Sequence, residues 1–314
     1  MPRVLITGEQ GYMARHLGNS LSSLGWDVVK PLRKLTSENT YYGRDQLAEC
    51  DATNRDALRD WFKETVPDLT VHAAALVGSE RGNQMRQESV KCNLDSTVAV
   101  LDVCEEFKTP LCYISSSAVY AEWALKPLTE TSPLEPLNFY NVTKLAGELL
   151  VRGQAKVPWT VLRPAMGFGN HLEPLRGYPH STLDKLILSY RSGWREPFQV
   201  ALNPAFRKPY VHMMQLGLAM AKVIDAFPVG EIVNIASPKA PRFGVLLDQL
   251  SYWSNGGLPD HMTYKPGEDF LQHHVFDQTK RERYFPEWDP PSAVEYLQQL
   301  FESDKRDGED SYDG

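Results

Sequence analysis

The chain has 314 residues and a mass of 35.5 kDa, and 42% of its residues are hydrophobic and 23% charged. This composition is ordinary for a globular protein, and the length suits one large α/β domain or two smaller ones. The formal net charge of −7 argues against nucleic-acid binding, and no apolar run approaches the roughly 18 residues of a membrane span. The N-terminus lacks a signal pattern and the four cysteines lack C-x-x-C spacing, so we expect a cytoplasmic protein with reduced thiols and no metal site.

Short β-rich runs alternate with segments of helical periodicity through the first 163 residues. The predicted elements, in chain order, are a strand at 3–7, a helix at 11–24, a strand at 27–32, a helix from Thr53 or Asn54 to 65, a strand at 69–72, a helix at 93–107, a strand at 111–115, a helix at 139–154 and a strand at 159–163. This alternation predicts an α/β fold with a doubly wound parallel sheet, in which ligands bind beyond the carboxyl ends of the strands.

The pattern changes after this part of the chain, because residues 166–210 are rich in Pro, Gly and aromatic residues and predict mainly loops. The elements predicted in the remainder are a helix at 182–192, a helix at 211–226 and a strand at 232–235. We therefore expect a platform of residues 1–165, with 205–235 packing back onto it, and a smaller ligand-covering lobe formed mainly by 166–304. The polar, acidic end of the chain, 305–314, is predicted to be disordered.

The segment Thr-Gly-Glu-Gln-Gly-Tyr-Met-Ala at 7–14 joins the first predicted strand to the first helix. Gly8 permits a tight turn, Gly11 allows the backbone to approach a pyrophosphate, and Ala14 allows close helix–strand packing. The spacing differs from Gly-x-Gly-x-x-Gly and glycines also mark plain turns, but the position between strand and helix favours dinucleotide binding. The residues expected beside the dinucleotide are Gly8, Gln10, Gly11, Tyr12 and Met13.

The end of the second predicted strand indicates which dinucleotide binds. Sheets that bind NAD usually place a carboxylate there for the ribose 2′-hydroxyl, whereas this chain has none and continues with Arg33 and Lys34. The two cations suit a 2′-phosphate, so the sequence favours NADP over NAD. A solvated charged loop is the alternative interpretation.

A third group of residues carries acid–base chemistry. Tyr140 and Lys144 are four residues apart and therefore share one face of the predicted helix. The pKa of a phenol is about 10. A lysine cation about 4 Å away stabilises the deprotonated phenol by about 4 kcal/mol, which corresponds to a pKa lowered by about 3 units and makes the tyrosine a useful base or acid. A serine hydroxyl after the preceding strand, in Ser115-Ser116-Ser117, is placed to hydrogen-bond a substrate oxygen.

Jointly and in order, these residues resemble the extended short-chain dehydrogenases/reductases, which include nucleotide-sugar epimerases, dehydratases and 4-ketoreductases, over nearly the whole chain. The resemblance implies a Rossmann-type sheet with a smaller C-terminal substrate-binding lobe, and Ser116, Tyr140 and Lys144 as catalytic residues. The further cofactor-binding residues that it implies are Asp51 and Ala52 at the adenine, Ala73, Ala74 and Ala75 after the strand at 69–72, the structural Asn93, Ser115, and Pro164 in the strand that passes the nicotinamide.

Several of these residues also have simpler interpretations. His72 is expected to pack at the end of its strand rather than to act as a base. Asp51 alone is also typical of a turn or a helix cap, and Ser115 and Ser117 also satisfy backbone groups in many proteins. The Tyr-x-x-x-Lys spacing, taken alone, arises by chance on many helices.

The resemblance narrows the reaction. Family dehydratases carry Asp-Glu directly after the catalytic Thr, whereas this chain has Ser117-Ala118, which argues against dehydration. With the NADP preference, we expect an NADP-dependent reductase of a nucleotide-linked 4-keto sugar. The alternatives are an NAD-dependent nucleotide-sugar 4-epimerase and a dinucleotide-binding relative without catalysis. The resemblance also suggests a homodimer formed by the helices around 93–107 and 139–154.

Two departures from the family pattern concern the substrate. Met166 stands where many members have Asn, and the segment from Arg207 to Gln215 lacks the usual Asp residues. Arg207 or Lys208 must therefore hold a diphosphate, if one binds. The residues expected at the substrate are Ser116, Ser117, Tyr140 and Arg207.

Overall fold

The structure, a computed structural model, describes residues 1–8, 11–30, 51–121, 127–169, 181–191, 198–200, 204–253, 262–264 and 274–309. The strands in these ranges are β1 (Arg3–Thr7), β2 (Asp27–Val29), β3 (Leu69–His72), β4 (Leu111–Ile114), β5 (Trp159–Pro164), β6 (Gly167–Phe168), β7 (Phe198–Val200), β8 (Val211–His212), β9 (Glu231–Ile235) and β10 (Met262–Tyr264). The α-helices are α1 (Tyr12–Ser23), α2 (Arg55–Thr65), α3 (Ser79–Gln84), α4 (Arg86–Val90), α5 (Ser96–Phe107), α6 (Phe139–Gln154), α7 (Thr182–Arg191), α8 (Met213–Ala226), α9 (Phe243–Trp253), α10 (Thr279–Glu282) and α11 (Ala293–Glu309). A π-helical segment at Lys91–Asp95 joins α4 to α5, and a 3-10 turn at Ser117–Val119 follows β4.

Six strands form the central sheet, in the order β2-β1-β3-β4-β5-β9, and every neighbouring pair is parallel. This confirms the predicted α/β class and the parallel, doubly wound sheet. The last strand, β9, comes from the segment 231–235 and pairs with β5, so the chain returns to the sheet after its excursion through 166–210.

The faces of the sheet follow the alternation of side chains along each strand. In β1, Val4 and Ile6 pack with α1 and α8 on one face, while Leu5 packs with α2 and α5 on the other. Because both faces are covered by helices, the strands are nearly continuous runs of apolar residues, as parallel sheets require. Each such side chain contributes about 1.5–3 kcal/mol by its burial.

Asparagine side chains fix the starts of two helices. Asn54 caps α2 by accepting a hydrogen bond of 3.1 Å from the amide of Ala57, which settles the choice between Thr53 and Asn54. Asn138 caps α6 in the same way, with a bond of 3.0 Å from the amide of Asn141. The second cap sets the position of Tyr140 in the first turn of α6.

Two predicted helices have different boundaries in the structure. The helix predicted at 211–226 begins with two strand residues, because Val211 and His212 pair with β6 before α8 starts at Met213. The helix predicted at 93–107 is π-helical over Lys91–Asp95 and α-helical only from Ser96.

Two predictions concern chain segments that the structure describes in part. The strand predicted at 27–32 is present over Asp27–Val29, and 31–50 lie outside the described residues. Disorder is predicted at 305–314, of which α11 includes the residues up to Glu309, and 310–314 lie outside the described residues.

The remaining part of the chain forms its own apolar cluster. Side chains of α7, α9 and α11 pack around Phe168, Phe206 and Tyr210, separately from the two clusters on the faces of the sheet. Within the described ranges, no helix combines the length and the apolarity that a membrane crossing requires.

The contact between α1 and α8 supplies a test of the packing. A methyl group on Gly217 would lie 2.8 Å from the carbonyl carbon of His16, whereas a methyl group on Gly153, at the end of α6, would contact nothing within 4 Å. We expect Gly217→Ala to lower the free energy of unfolding by about 1–3 kcal/mol through overpacking. The matched control Gly153→Ala should raise it by about 0.5–1 kcal/mol, since Ala favours helices. Urea denaturation measures both, and a stabilised Gly217→Ala variant would contradict the packing.

Candidate active site

The carboxyl ends of β1 and β3 lie side by side where the strand order of the sheet reverses, which is where doubly wound sheets bind ligands. Gly8 follows β1 with a φ of +77°, and a Cβ atom on it would lie 2.5 Å from the Cα atom of Ala74. The hydroxyl of Thr7 supports this approach by accepting a hydrogen bond of 3.3 Å from the Ala74 amide. The position therefore requires glycine, both for its backbone angle and for the space that the segment after β3 occupies.

The N-terminus of α1 opens at this turn. The exposed Gly11 is the N-cap residue, so no side chain caps the helix, and its amide donates a hydrogen bond of 2.8 Å to the Gly8 carbonyl. The first turn of α1 contains no acidic residue. Backbone N–H groups and the positive end of the helix dipole suit a pyrophosphate at this position.

The other residues predicted beside the dinucleotide differ in their exposure. Tyr12 is 7% exposed and packs its ring edge against His16, 4.8 Å between centroids, within the apolar cluster of α1 and α8. Met13 is half-buried. Gln10, and the predicted phosphate-binding pair Arg33 and Lys34, lie outside the described residues.

The predicted adenine segment is a turn that leads into α2. One carboxylate oxygen of Asp51 accepts hydrogen bonds of 2.9 Å from both the amide and the hydroxyl of Thr53. These two hydrogen bonds support the simpler interpretation of Asp51 as a turn residue. Asp51 and Ala52 are both half-buried, so each retains a surface that a ligand can reach.

Asn93 ties the segment after β3 to α6. Its Oδ1 atom accepts 2.7 Å from the Leu76 amide, and its Nδ2 atom donates 2.8 Å to the hydroxyl of Thr143, directly before Lys144. The side chain that makes these bonds lies within the π-helical turn Lys91–Asp95, a kind of turn that is frequent at functional sites. They also position the half-buried backbone of Ala73, Ala74 and Ala75.

His72 is a structural residue at the end of β3, as the sequence indicates. Its ring is 1% exposed and its Nδ1 atom lies 2.7 Å from the hydroxyl of Thr7. Burial, with a smaller contribution from the charge of Lys144, lowers the pKa of His72 to about 3. The ring is therefore neutral at physiological pH and does not act as a base there.

Tyr140 and Ser116 meet where α6 begins and β4 ends. The Ser116 side chain accepts a hydrogen bond of 3.1 Å from the Ala118 amide and lies near enough to the phenol of Tyr140 to lower the pKa of that group. Tyr140 is half-buried, and α3 packs closely against the start of α6, since a Cβ atom on Gly82 would lie 3.0 Å from the Cβ atom of Tyr140. Burial raises the pKa of Tyr140 to about 12, and the nearby hydroxyl of Ser116 lowers it by less. The phenol therefore keeps its proton at neutral pH, which suits the acid role among the two roles, base or acid, that the spacing suggests.

Lys144 lies one turn further along α6 and is more deeply buried than Tyr140. Its side chain is 2% exposed, and Nζ lies 4.4 Å from the ring centroid of Tyr113, a residue of β4. Burial lowers the pKa of Lys144 to about 7, while the charge of Glu148 raises it by a smaller amount. The lysine is therefore poised between its charged and neutral forms near neutral pH.

An ion pair that the sequence pattern does not reveal lies behind Lys144. Glu148 and Arg163 are both almost completely buried and form two hydrogen bonds, Nε to Oε2 at 3.0 Å and an Nη atom to Oε1 at 2.5 Å. Ser115 donates a further bond of 2.8 Å to Glu148, and Arg163 donates 2.7 Å to the phenol of Tyr120. The signal available in the sequence was a charged residue on the inner face of a helix and another within an apolar strand.

The predicted substrate residues lie at the ends of β4 and β5 and on the segment before β8. Ser117 is buried, and so is Pro164 at the end of β5. Met166 is 40% exposed, and its carbonyl accepts a hydrogen bond of 3.1 Å from the amide of Val211, which brings the segment before β8 beside the end of β5. On that segment Arg207 is exposed and donates 3.3 Å to the carbonyl of Ala240. The structure thus places Ser116 near Tyr140, and Lys144 one turn further along the same helix, while Arg207 lies on the segment before β8.

Comparisons with known proteins agree with this fold. Residues 4–236 match the family model described as NAD dependent epimerase/dehydratase family. The chain is 26% identical, over 93% of its length and 96% of the relative's, to the low-salt glycan biosynthesis protein Agl12 of Haloferax volcanii.

Two solved structures share its architecture. The UDP-glucose 4-epimerase of Thermus thermophilus in complex with NAD has a TM-score of 0.77 and 22% identity, covering 96% of this chain and 98% of the other. The UDP-glucose 4-epimerase of Thermotoga maritima with UDP-glucose has a TM-score of 0.78 and 19% identity, covering 97% of this chain and 99% of the other. On the match to its family model, the chain belongs to the NAD dependent epimerase/dehydratase family, a group of nicotinamide-dependent short-chain dehydrogenase/reductase enzymes.

Proposed function

We propose that the chain is an NADP-dependent reductase of a nucleotide-linked 4-keto sugar. The observation that carries this proposal is the half-buried phenol of Tyr140 near Ser116, which keeps its proton at neutral pH because its pKa is raised to about 12, since the reduction of a ketone needs a proton donor at that place. Similarity to enzymes named for nucleotide sugars supports the substrate class.

The residues of the chain fit a dinucleotide. The approach of Gly8 to Ala74 and the uncapped start of α1 form a backbone site for a pyrophosphate. Gly11, Ala73 and Pro164 are the neighbouring residues proposed to line the dinucleotide. When bound, the reduced nicotinamide supplies a hydride to the ketone carbon of the substrate.

The side chains supply the proton and the orientation. Ser116 hydrogen-bonds the ketone oxygen and so polarises the carbonyl, while Tyr140 donates its proton to that oxygen as negative charge develops on it. Lys144 hydrogen-bonds the ribose, and its charge stabilises the tyrosinate that remains. Arg207, or Lys208 next to it, is proposed to hold the diphosphate of the substrate.

A nucleotide-sugar 4-epimerase is the second candidate. The two solved structures reported above are both of UDP-glucose 4-epimerases, one of them with NAD. An epimerase first oxidises its substrate, so Tyr140 would have to act as a base, and its high pKa in this structure disfavours that direction. NAD that remains bound through purification would favour the epimerase.

Removing the phenol tests the mechanism. We expect Tyr140→Phe to lower the rate of NADPH oxidation by about 10²–10⁴-fold, because a positioned acid contributes about that much. The Kd for NADPH should change less than threefold, since the phenol moves a proton rather than holding the dinucleotide. The measurement uses a panel of UDP-, GDP-, dTDP- and CDP-linked 4-keto sugars, with the exposed Tyr252→Phe as the matched control. Unchanged turnover in Tyr140→Phe would refute the mechanism.

The cofactor preference has its own test. Fluorescence titration should give a lower Kd for NADPH than for NADH. The double variant Arg33→Ala/Lys34→Ala should lose that preference through weaker NADPH binding, while its affinity for NADH stays the same. Lys108→Ala, at the end of α5, serves as a control for the loss of a surface cation. Tighter binding of NADH by the unaltered chain would overturn the NADP assignment.

The exposed apolar residues of α5 and α6 support the proposed homodimer. Val98, Val142 and Leu149 are 44%, 46% and 53% exposed, on two helices that pack against each other. We expect light scattering to give the mass of two chains, about twice 35.5 kDa, for the unaltered protein. Leu149→Glu should give the mass of one chain. Val229→Glu, at a 63% exposed position between α8 and β9, should remain dimeric. A monomeric unaltered chain would contradict the proposal.

A further inference from the structure

We propose that Glu148 is a positioning residue of this active site, which fixes α6 against the ends of β4 and β5 and maintains the charge of Lys144. The inference rests on the function proposed above for Ser116, Tyr140 and Lys144. It gives a role in that site to a residue that touches neither the substrate nor the cofactor.

The carboxylate of Glu148 joins three elements of the site. Glu148 is 0% exposed, and its carboxylate accepts hydrogen bonds from three elements at once: 2.8 Å from Ser115 at the end of β4, 3.0 Å and 2.5 Å from Arg163 in β5, and 3.1 Å from Arg152 on α6 itself. Ser115 directly precedes Ser116. The carboxylate therefore fixes the distance between the helix that carries Tyr140 and the strand end that carries Ser116.

Glu148 also acts on the charge of Lys144. The titratable groups that surround Lys144 are His72 from β3, Tyr113 from β4, Tyr140 and Glu148 from α6, and Arg163 from β5 behind Glu148. Two of these are neutral phenols and the imidazole is neutral as well, so Glu148 carries the negative charge of the set. Burial alone would raise the pKa of the Glu148 carboxyl, but the hydrogen bonds and charge of Arg163, with smaller contributions from Ser115 and Arg152, hold it below its ordinary value.

The consequence concerns the pH range in which the site works. Burial favours the neutral form of Lys144, and the charge of Glu148 opposes it. Without that charge, Lys144 would lose its proton at a lower pH and would no longer be an ammonium group at neutral pH. A purely structural Glu148 would affect activity equally at every pH.

The experiment separates charge from geometry with two substitutions at one position. Glu148→Gln keeps the size of the side chain and can still accept from Arg163, but it removes the charge. Glu148→Asp keeps the charge and shortens the reach. Glu106→Gln, a surface carboxylate paired with Arg59, is the matched control.

The first readout is the pH dependence of the Kd for NADPH, measured by fluorescence between pH 5.5 and 9, which needs no sugar substrate. We expect the pH midpoint at which Glu148→Gln loses affinity to lie about one unit or more below that of the unaltered chain, because a nearby opposite charge shifts a pKa by about 1–3 units. Glu148→Asp and Glu106→Gln should keep the original midpoint. A folded Glu148→Gln variant with an unshifted midpoint would overturn the electrostatic role.

The second readout is kcat with whichever 4-keto sugar is turned over. Glu148→Asp, and Ser115→Ala, which removes only one of the bonds, should each lower kcat by about tenfold through misplacement of Ser116, without a shift in the pH profile. Full activity in both variants would overturn the positioning role. If Glu148→Gln does not fold, the kcat values of Glu148→Asp and Ser115→Ala test that role on their own. If no sugar is turned over by the unaltered chain, the proposed function fails, while the NADPH titration still tests Glu148.

Discussion

The arrangement of the site depends on a buried ion pair. Removing Glu148 and Arg163 from water is unfavourable by several kcal/mol for each ion, and only complete hydrogen bonding offsets it. Here Ser115, Arg152 and Tyr120 complete the pair, and Tyr120 in turn donates 2.7 Å to the side chain of Asn234 in β9. A network of this kind tolerates little displacement, because separating its partners generally destabilises a protein by about 3–5 kcal/mol. It therefore holds three strands and α6 in one relative position.

Burial also determines the protonation of Tyr140 and Lys144. Burial raises the pKa of Tyr140 and lowers that of Lys144, since in both cases it favours the neutral form. The phenol thus keeps its proton and the lysine is ready to give up or retain its own near pH 7. A Lys–Tyr pair in this state suits the delivery of a proton to a substrate oxygen, and the charge of Glu148 shifts the balance of the lysine toward the ammonium form.

Local sequence signals were sufficient for the frame of the site. The β1–α1 turn is recognisable because Gly8 and Gly11 stand between a β-branched run and a helical period, and Tyr140 with Lys144 is recognisable from helical spacing. Both signals depend on residues close together in the chain. The parallel sheet follows from the same kind of alternation, and the structure confirms it.

The features that escaped prediction depend on contacts between distant segments. The sequence shows Glu148 and Arg163 as charged residues at apolar positions, but their pairing depends on β5 lying beside α6. The bonds of Asn93 with Leu76 and Thr143 join residues that are far apart in the chain. The raised pKa of Tyr140 depends on its burial in the folded protein, which spacing along one helix does not encode.

Burial leaves Lys144 with a pKa of about 7, so that its charge is finely balanced near neutral pH. The most direct test is an NMR titration of the ¹⁵Nζ signals in ¹⁵N-lysine-labelled protein, with the Lys144 signal assigned from its loss in Lys144→Arg. We expect the signal of Lys144 to titrate with a pKa of about 7. A pKa near the ordinary lysine value of about 10.4 would contradict it.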